Sequence, residues 1–221
     1  ADPKEHGYYW ASRHTNTEKI FQFMPDNLPV HAEIWLDRQD KPYVADDTKS
    51  PLAKGQRFLG IQGQLWSENT RSDELAEHKI YPRLLALAER AWHLPNWAVP
   101  YNYQGATYSQ DTHIFTDQMR KARDESWQVF ANVLGKKELP KLELAGIDYR
   151  LPVVGAVIEQ EVLTANIAFP GLIIEYQVQN EKNDESVWQI YSKPVKVTGK
   201  VKVRSRSVNG LRAGRITQAS R

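Results

Sequence analysis

The sequence predicts two architectures in series, an α/β region over residues 1–137 and an all-β sandwich over residues 138–221. Three observations carry that division. A glycine-bearing alternating run, RFLGIQGQL at residues 57–65, has the period of a strand. Helical periods follow it, beginning after Glu68. From about Leu144 onward the chain changes to short alternating runs separated by turn residues. With 221 residues, 41% hydrophobic and 25% charged, the chain has enough apolar material to bury a core and is not of disordered composition.

Taken in order, residues 1–56 read as loop-rich, because Pro25, Pro29, Pro42 and Pro51 interrupt any long regular element. A helical turn is expected near residues 15–21, with Thr15 as its cap and Glu18 three residues on. VHAEIWL at residues 30–36 reads as a short strand or a turn of helix. In the 57–65 strand, Leu59, Ile61 and Leu65 share one face, and Gly60 and Gly63 suggest a crowded barrel or a close ligand. A helix follows, capped by Thr70 or Ser72, with Asp73 and Glu74 in its first turn. Its apolar stripe is Tyr81, Leu84, Leu85, Ala88 and Trp92, and Pro82 kinks it or begins its main segment. A second helix carries Phe115, Met119, Ala122, Val129, Phe130 and Val133, with Gly135 as its stop. Trp92 and Trp127 are expected to pack.

In the last zone Leu172, Ile174, Tyr176 and Val178 alternate with Ile173, Glu175 and Gln177, and the pairs Val195/Val197 and Val201/Val203 repeat the period. PG, EKND, SKP and TGK separate these runs, and the length suits an immunoglobulin-like core. Charge is unevenly placed. Residues 191–221 hold 9 basic and no acidic residues, leaving 20 basic against 27 acidic, a net of −7, in the rest. The reading adopted is a lysine-bearing solvent face of an edge strand. A nucleic-acid partner is not expected, since Arg204, Arg206, Arg212 and Arg215 lack the aromatic platforms of a single-strand binder.

Several chemistries drop out. Without cysteine there is no disulfide framework, redox dithiol or thiolate metal site. No apolar run approaches the ~18 residues of a membrane span, and no signal-peptide pattern opens the chain. The six histidines lack paired ligand spacing, and GxGxxG, phosphate-loop and GxSxG elements are absent, so neither a metal nor a cofactor is expected. What remains is FLGIQGQLWSE at residues 58–68. Period two puts Gln62, Gln64, Trp66 and Glu68 on one side, at the end of a strand that feeds a helix. Ligands bind at that end of barrels and doubly wound sheets. A tryptophan face covers the apolar hydrogens of a sugar ring, and a carboxylate accepts from its hydroxyls. A barrel-core tryptophan beside a helix-capping glutamate fits the same spacing. Glycoside hydrolysis ordinarily needs two carboxyl groups, and Glu68 is the single one at a strand end.

GYYWASRHT, PDNLP, FLGIQGQLWSE and YPRLLALAERAWH together resemble the C-terminal part of a family 20 glycoside hydrolase, a β-N-acetylhexosaminidase family. FPGLIIEYQVQN, VWQIY and VRSRSVNGLRAGR resemble that family's C-terminal immunoglobulin-like domain. The resemblance implies the C-terminal part of a (β/α)8 TIM barrel, with GQLWSE as strand eight, followed by the sandwich. It implies that Trp66 walls the non-reducing sugar and Glu68 holds its hydroxyls. The implied reaction is substrate-assisted retaining removal of terminal N-acetylglucosamine from chitobiose and chitooligosaccharides. The adjacent Asp-Glu pair of that family stands at a strand end. Here Asp124–Glu125 lies in a helix and Asp184–Glu185 in a turn, so no catalytic residue is assigned. The chain is therefore expected to begin after strand seven and to be inactive alone. Its expected partners are an N-acetylglucosamine-containing oligosaccharide and a missing N-terminal portion of the same enzyme, in a periplasmic or secreted setting. A noncatalytic carbohydrate-binding or scaffold module is the alternative reading.

Overall fold

The computed structural model describes residues 15–37, 39–56, 58–65, 70–179 and 187–219. The chain divides into two compact units, Ala1–Trp127 and Gln128–Arg221. Among the described residues no helix is long and apolar enough to cross a membrane.

The first unit is built on short helices. Helix α1 (Thr17–Phe21) is capped by Asn16, whose side chain accepts from the Glu18 N–H at 2.8 Å. Thr15, the expected cap, lies one residue too early, because the cap must immediately precede the first helical residue. VHAEIWL resolves as helical turn α2 (His31–Ile34). A minimal ribbon joins β1 (Ala45–Asp46) to β2 (Thr107–Tyr108). Ser72 caps α3 (Asp73–Ile80), accepting from the Leu75 N–H at 3.3 Å. Pro82 ends that helix and stands just before α4 (Arg83–Trp92), as a residue without an N–H is tolerated at a helix start and not inside one.

Two expectations fail here. The expected strand is not formed over the described part of the run: residues 58–65 carry no regular element and are largely exposed, with Leu59 106% accessible. A strand needs a neighbour for its N–H and C=O groups, and no described segment pairs with this one. The face of α4 is also misassigned. Pro82, Ala86 and Arg90 point inward at i, i+4 and i+8, while Leu84 and Ala88 are exposed and Trp92 is 91% accessible. Arg90 takes the inner place because its guanidinium lies 4.5 Å from the Phe21 ring centre and 5.4 Å from that of Trp97. Its aliphatic stem and cation–π contacts substitute for an apolar side chain. Around it Phe21 packs on Trp97 and Trp127 at 6.0 and 5.5 Å, so Trp127 is a core residue as expected and Trp92 is not.

Helix α5 (Asp117–Val133) continues past the division of the chain, through a π-helical turn at Leu134–Glu138, into α6 (Leu139–Leu144). Gly135 therefore does not stop a helix. A Cβ at Gly135 would meet the Pro170 carbonyl oxygen at 2.0 Å, so glycine is required by the close approach of the Phe169–Pro170–Gly171 backbone.

The second unit contains two antiparallel sheets. One has the order β3 (Gly155–Glu159), β4 (Val162–Asn166), β7 (Val195–Lys196). The other runs β6 (Gln189–Ile190), β5 (Ile173–Gln179), β8 (Lys200–Arg206), β9 (Thr217–Gln218). Their inward side chains, including Leu163, Ile174, Tyr176, Val197, Val201 and Val203, share one core. The alternation anticipated at 172–178 and 201–203 is expressed as burial at Leu172, Ile174, Tyr176, Val201 and Val203, while Val178 is half-buried and Glu175 is buried on the other face. The β3–β4 turn places Gln160 and Glu161 at φ 48° and 63°, the left-handed pair that a two-residue hairpin demands, although neither is a usual turn residue. The basic row is not on an edge: β8 lies between β5 and β9. Behind it, Glu143 accepts from the Val208 and Asn209 N–H groups at 2.9 and 2.8 Å, fixing the loop that follows β8.

Candidate carbohydrate site

Trp66 and Glu68, the two residues singled out for sugar binding, lie outside the described residues, as do Tyr8, Tyr9 and Trp10 and the Asp184–Glu185 pair. What is described is the ground on which the 58–65 segment runs up to them. Gln62, Gln64 and Leu65 line a cavity of about 530 Å³ whose other walls include Trp35, Phe23 and Leu87. Gly63 is seated closely: a Cβ there would come within 2.7 Å of Leu87 Cδ2, whereas Gly60 faces open space. Gly63 thus has a packing reason, its close approach to Leu87 of α4.

The aromatic wall of this cavity was not anticipated. Phe23, His31 and Trp35 form a nearly parallel stack, with His31 and Trp35 centroids 4.1 Å apart at 13° and Phe23 and His31 5.1 Å apart at 6°. The Lys19 ammonium stands 5.2 Å from the Trp35 ring centre. His31 is buried between two backbone groups: Nε2 accepts from the Met24 N–H at 2.9 Å, and Nδ1 donates to the Leu28 carbonyl at 2.9 Å. That pairing fixes the neutral tautomer. Burial pushes the imidazole down to about 4, so the stack carries no charge at neutral pH. The signal available in sequence was the four-residue separation of His31 and Trp35, which puts both on one side of a helical turn.

Among the described residues the adjacent Asp-Glu pairs stand on helices. Asp124 and Glu125 lie on exposed faces of α5, beside Arg123 at 3.1 Å and Lys121 at 3.8 Å. A third adjacent pair, Asp73–Glu74, was noted only as helix-opening charge and does that: it occupies the first turn of α3. Its own backbone N–H and the Ser72 side chain hold the Glu74 carboxyl below its ordinary value, the opposite of what a general acid requires. Among the described residues no group of three His, Asp or Glu side chains is placed to hold a metal. Trp92 lines a second cavity of about 670 Å³ together with Tyr101 and Tyr103.

The class of protein emerges from the sequence relatives of these two units. Residues 1–95 match the glycosyl hydrolase family 20 catalytic domain, and residues 138–216 match the chitobiase/beta-hexosaminidase C-terminal domain. Two stretches of the chain are thus similar to the catalytic and C-terminal domains of glycosyl hydrolase family 20 proteins. It is 42% identical over 218 residues, 98% of its length, to an N,N'-diacetylchitobiase of Vibrio harveyi, of which it covers 23%. A beta-hexosaminidase of Vibrio vulnificus is also 42% identical, over 224 residues that cover 98% of this chain and 25% of that protein. Beta-hexosaminidase B of Pseudoalteromonas piscicida is 52% identical over 133 residues, 60% of this chain and 17% of the relative. The chain thus spans about a quarter or less of the curated relatives it matches. One expectation is corrected by these matches. The expected partner, a missing N-terminal portion of the same enzyme, gives way to the finding that catalytic-domain sequence and C-terminal-domain sequence are both present on this chain.

Proposed function

We propose that this chain serves a β-N-acetylhexosaminidase, a chitobiase that removes terminal non-reducing N-acetylglucosamine from chitobiose and short chitooligosaccharides. The observation that carries the reading is the order of catalytic and C-terminal family sequence along one chain, with 42% identity to a diacetylchitobiase across 98% of it. In this reading residues 1–137 are the C-terminal segment of a (β/α)8 barrel. Residues 138–221 are an immunoglobulin-like β-sandwich. Trp66 covers the apolar face of the terminal sugar, and Glu68 accepts hydrogen bonds from its outer hydroxyls. The reaction is substrate-assisted and retaining: the acetamido carbonyl attacks the anomeric carbon while an acid protonates the departing oxygen. Family 20 is among the known departures from the two-carboxylate pattern. A periplasmic or secreted location accompanies this substrate class.

The chain itself is proposed to bind sugar and not to cleave it. Both described Asp-Glu pairs sit in helices, Asp73–Glu74 and Asp124–Glu125. The same observation favours the second reading, a noncatalytic carbohydrate-binding module. Calorimetric titration of the 221-residue chain with chitobiose tests the site. Losing a charged hydrogen-bond partner costs about 1.5–3 kcal/mol, so Glu68→Gln should weaken binding roughly tenfold to a hundredfold, and Trp66→Ala should weaken it comparably. Binding that survives both substitutions unchanged overturns the site. Release of p-nitrophenol from the N-acetylglucosaminide by the purified chain overturns the proposed lack of cleavage.

A further inference from the structure

The outward face of the β6-β5-β8-β9 sheet carries charge that neither the core nor the family reading uses. Along β8 the inward residues Val201, Val203 and Ser205 are fully buried, so Lys200, Lys202, Arg204 and Arg206 all project outward. The register sets Gln179, Gln177, Glu175 and Ile173 of β5 opposite them in that order. Only one of these is acidic. Glu175 is consumed by two arginines, at 2.7 Å from Arg204 Nε and 3.3 Å from Arg206 Nη1, which leaves a surplus of positive charge among the described residues of the face. Lys200 and Lys202 oppose glutamines and make no ion pair among the described residues. Lysines commonly protect the open side of an edge strand, but β8 is flanked on both sides, so that explanation does not apply.

We infer that this face binds an acidic polysaccharide, through Lys200 and Lys202 and the Trp188–Arg204 pair. Trp188 lies with its ring centre 4.0 Å from the Arg204 guanidinium carbon, a flat aromatic and cationic plate beside the lysines. Gln177 and Gln218 flank Lys202 in the neighbouring strands, and amides of that kind exchange hydrogen bonds with hydroxyls. Hydroxyls interspersed with carboxylates or sulfates are the chemistry of an acidic glycan. A nucleic-acid strand requires a succession of aromatic platforms for its bases, and among the described residues this face presents one. The face uses neither Trp66 nor Glu68, and the inference stands whatever those residues do.

The test is surface plasmon resonance of the full 221-residue chain over immobilised alginate, with dextran and a single-stranded DNA oligonucleotide as alternatives. Saturable alginate binding is expected, weakening as salt rises, with no binding to dextran. The double substitution K200Q/K202Q should lose most of the alginate response without altering the melting temperature. The exposed control pair K136Q/K137Q, which removes the same charge elsewhere in the unit, should retain it. Absence of alginate binding overturns the inference, as does equal loss in the two double variants. Tighter binding to DNA than to alginate at the same salt also overturns it. Chitobiose titration of K200Q/K202Q should remain that of the unsubstituted chain, so failure here is distinguishable from failure of the hexosaminidase reading.

Discussion

Residues 58–65 and strand β8 have the same kind of sequence, apolar and polar residues in alternation, and opposite fates. In β8 every second residue is buried and every outward one is charged. In 58–65 the residues expected inward include Leu59 at 106% and Leu65 at 40% accessibility. The difference lies in what stands alongside. Strand β8 pairs along its whole length with β5 and is capped by β9, so its backbone groups are satisfied and its valines meet a second sheet. The 58–65 segment has no described strand beside it and leans instead on α4 through Gly63. Alternation is a capacity for being a strand, and neighbouring backbone realises it.

The contrast can be broken most forcefully from within the second unit. Leu163 is fully buried in the shared core, so Leu163→Ala should cost about 2–5 kcal/mol of stability, read from denaturant unfolding. A second large effect belongs to the first unit and depends on pH. The His31 imidazole is held near 4, against 6.5 in the unfolded chain, so unfolded protein takes up the proton first as pH falls. The stabilisation is complete above about pH 6.5 and is lost progressively toward pH 4, by about 3 kcal/mol in all, with no further loss below. An NMR titration of the His31 ring should show its midpoint near 4; a midpoint near 6.5 would remove the effect. Gly135→Ala comes next, at about 1–3 kcal/mol, because the Pro170 backbone must shift to admit a methyl group. Smallest is Leu59→Ala, within about 0.5 kcal/mol of zero for so exposed a side chain. A loss as large as that of Leu163→Ala would mean that 58–65 is packed as a strand after all.

The legible parts of the fold are those whose cause is local or nearly so. Ser72 as a cap, Pro82 as a helix boundary and the apolar alternation of β5 and β8 all follow from rules that operate within a few residues. The missed features depend on distant partners. Nothing near Gly135 in sequence announces that the Pro170 carbonyl will press on it. Nothing near Arg90 says that Phe21 and Trp97 will accept a guanidinium in place of an apolar side chain, which turns Trp92 outward. The site divides the same way. Trp66 and Glu68 follow from strand parity and from resemblance, and both lie outside the described residues. The Phe23–His31–Trp35 stack went unnoticed because its members come from a loop and a four-residue helix that gave no strong periodic signal.

Hydrogen exchange on the 221-residue chain, with and without saturating chitobiose, tests the functional reading and the contrast between regions together. Without sugar, amides of 58–65 should exchange rapidly and those of β5 and β8 slowly, since only the latter are in a ladder. With sugar, peptides covering residues 58–70 should slow, and those of β5 and β8 should not change. Slowing confined to the second unit, or none in 58–70, would contradict a sugar site at Trp66 and Glu68.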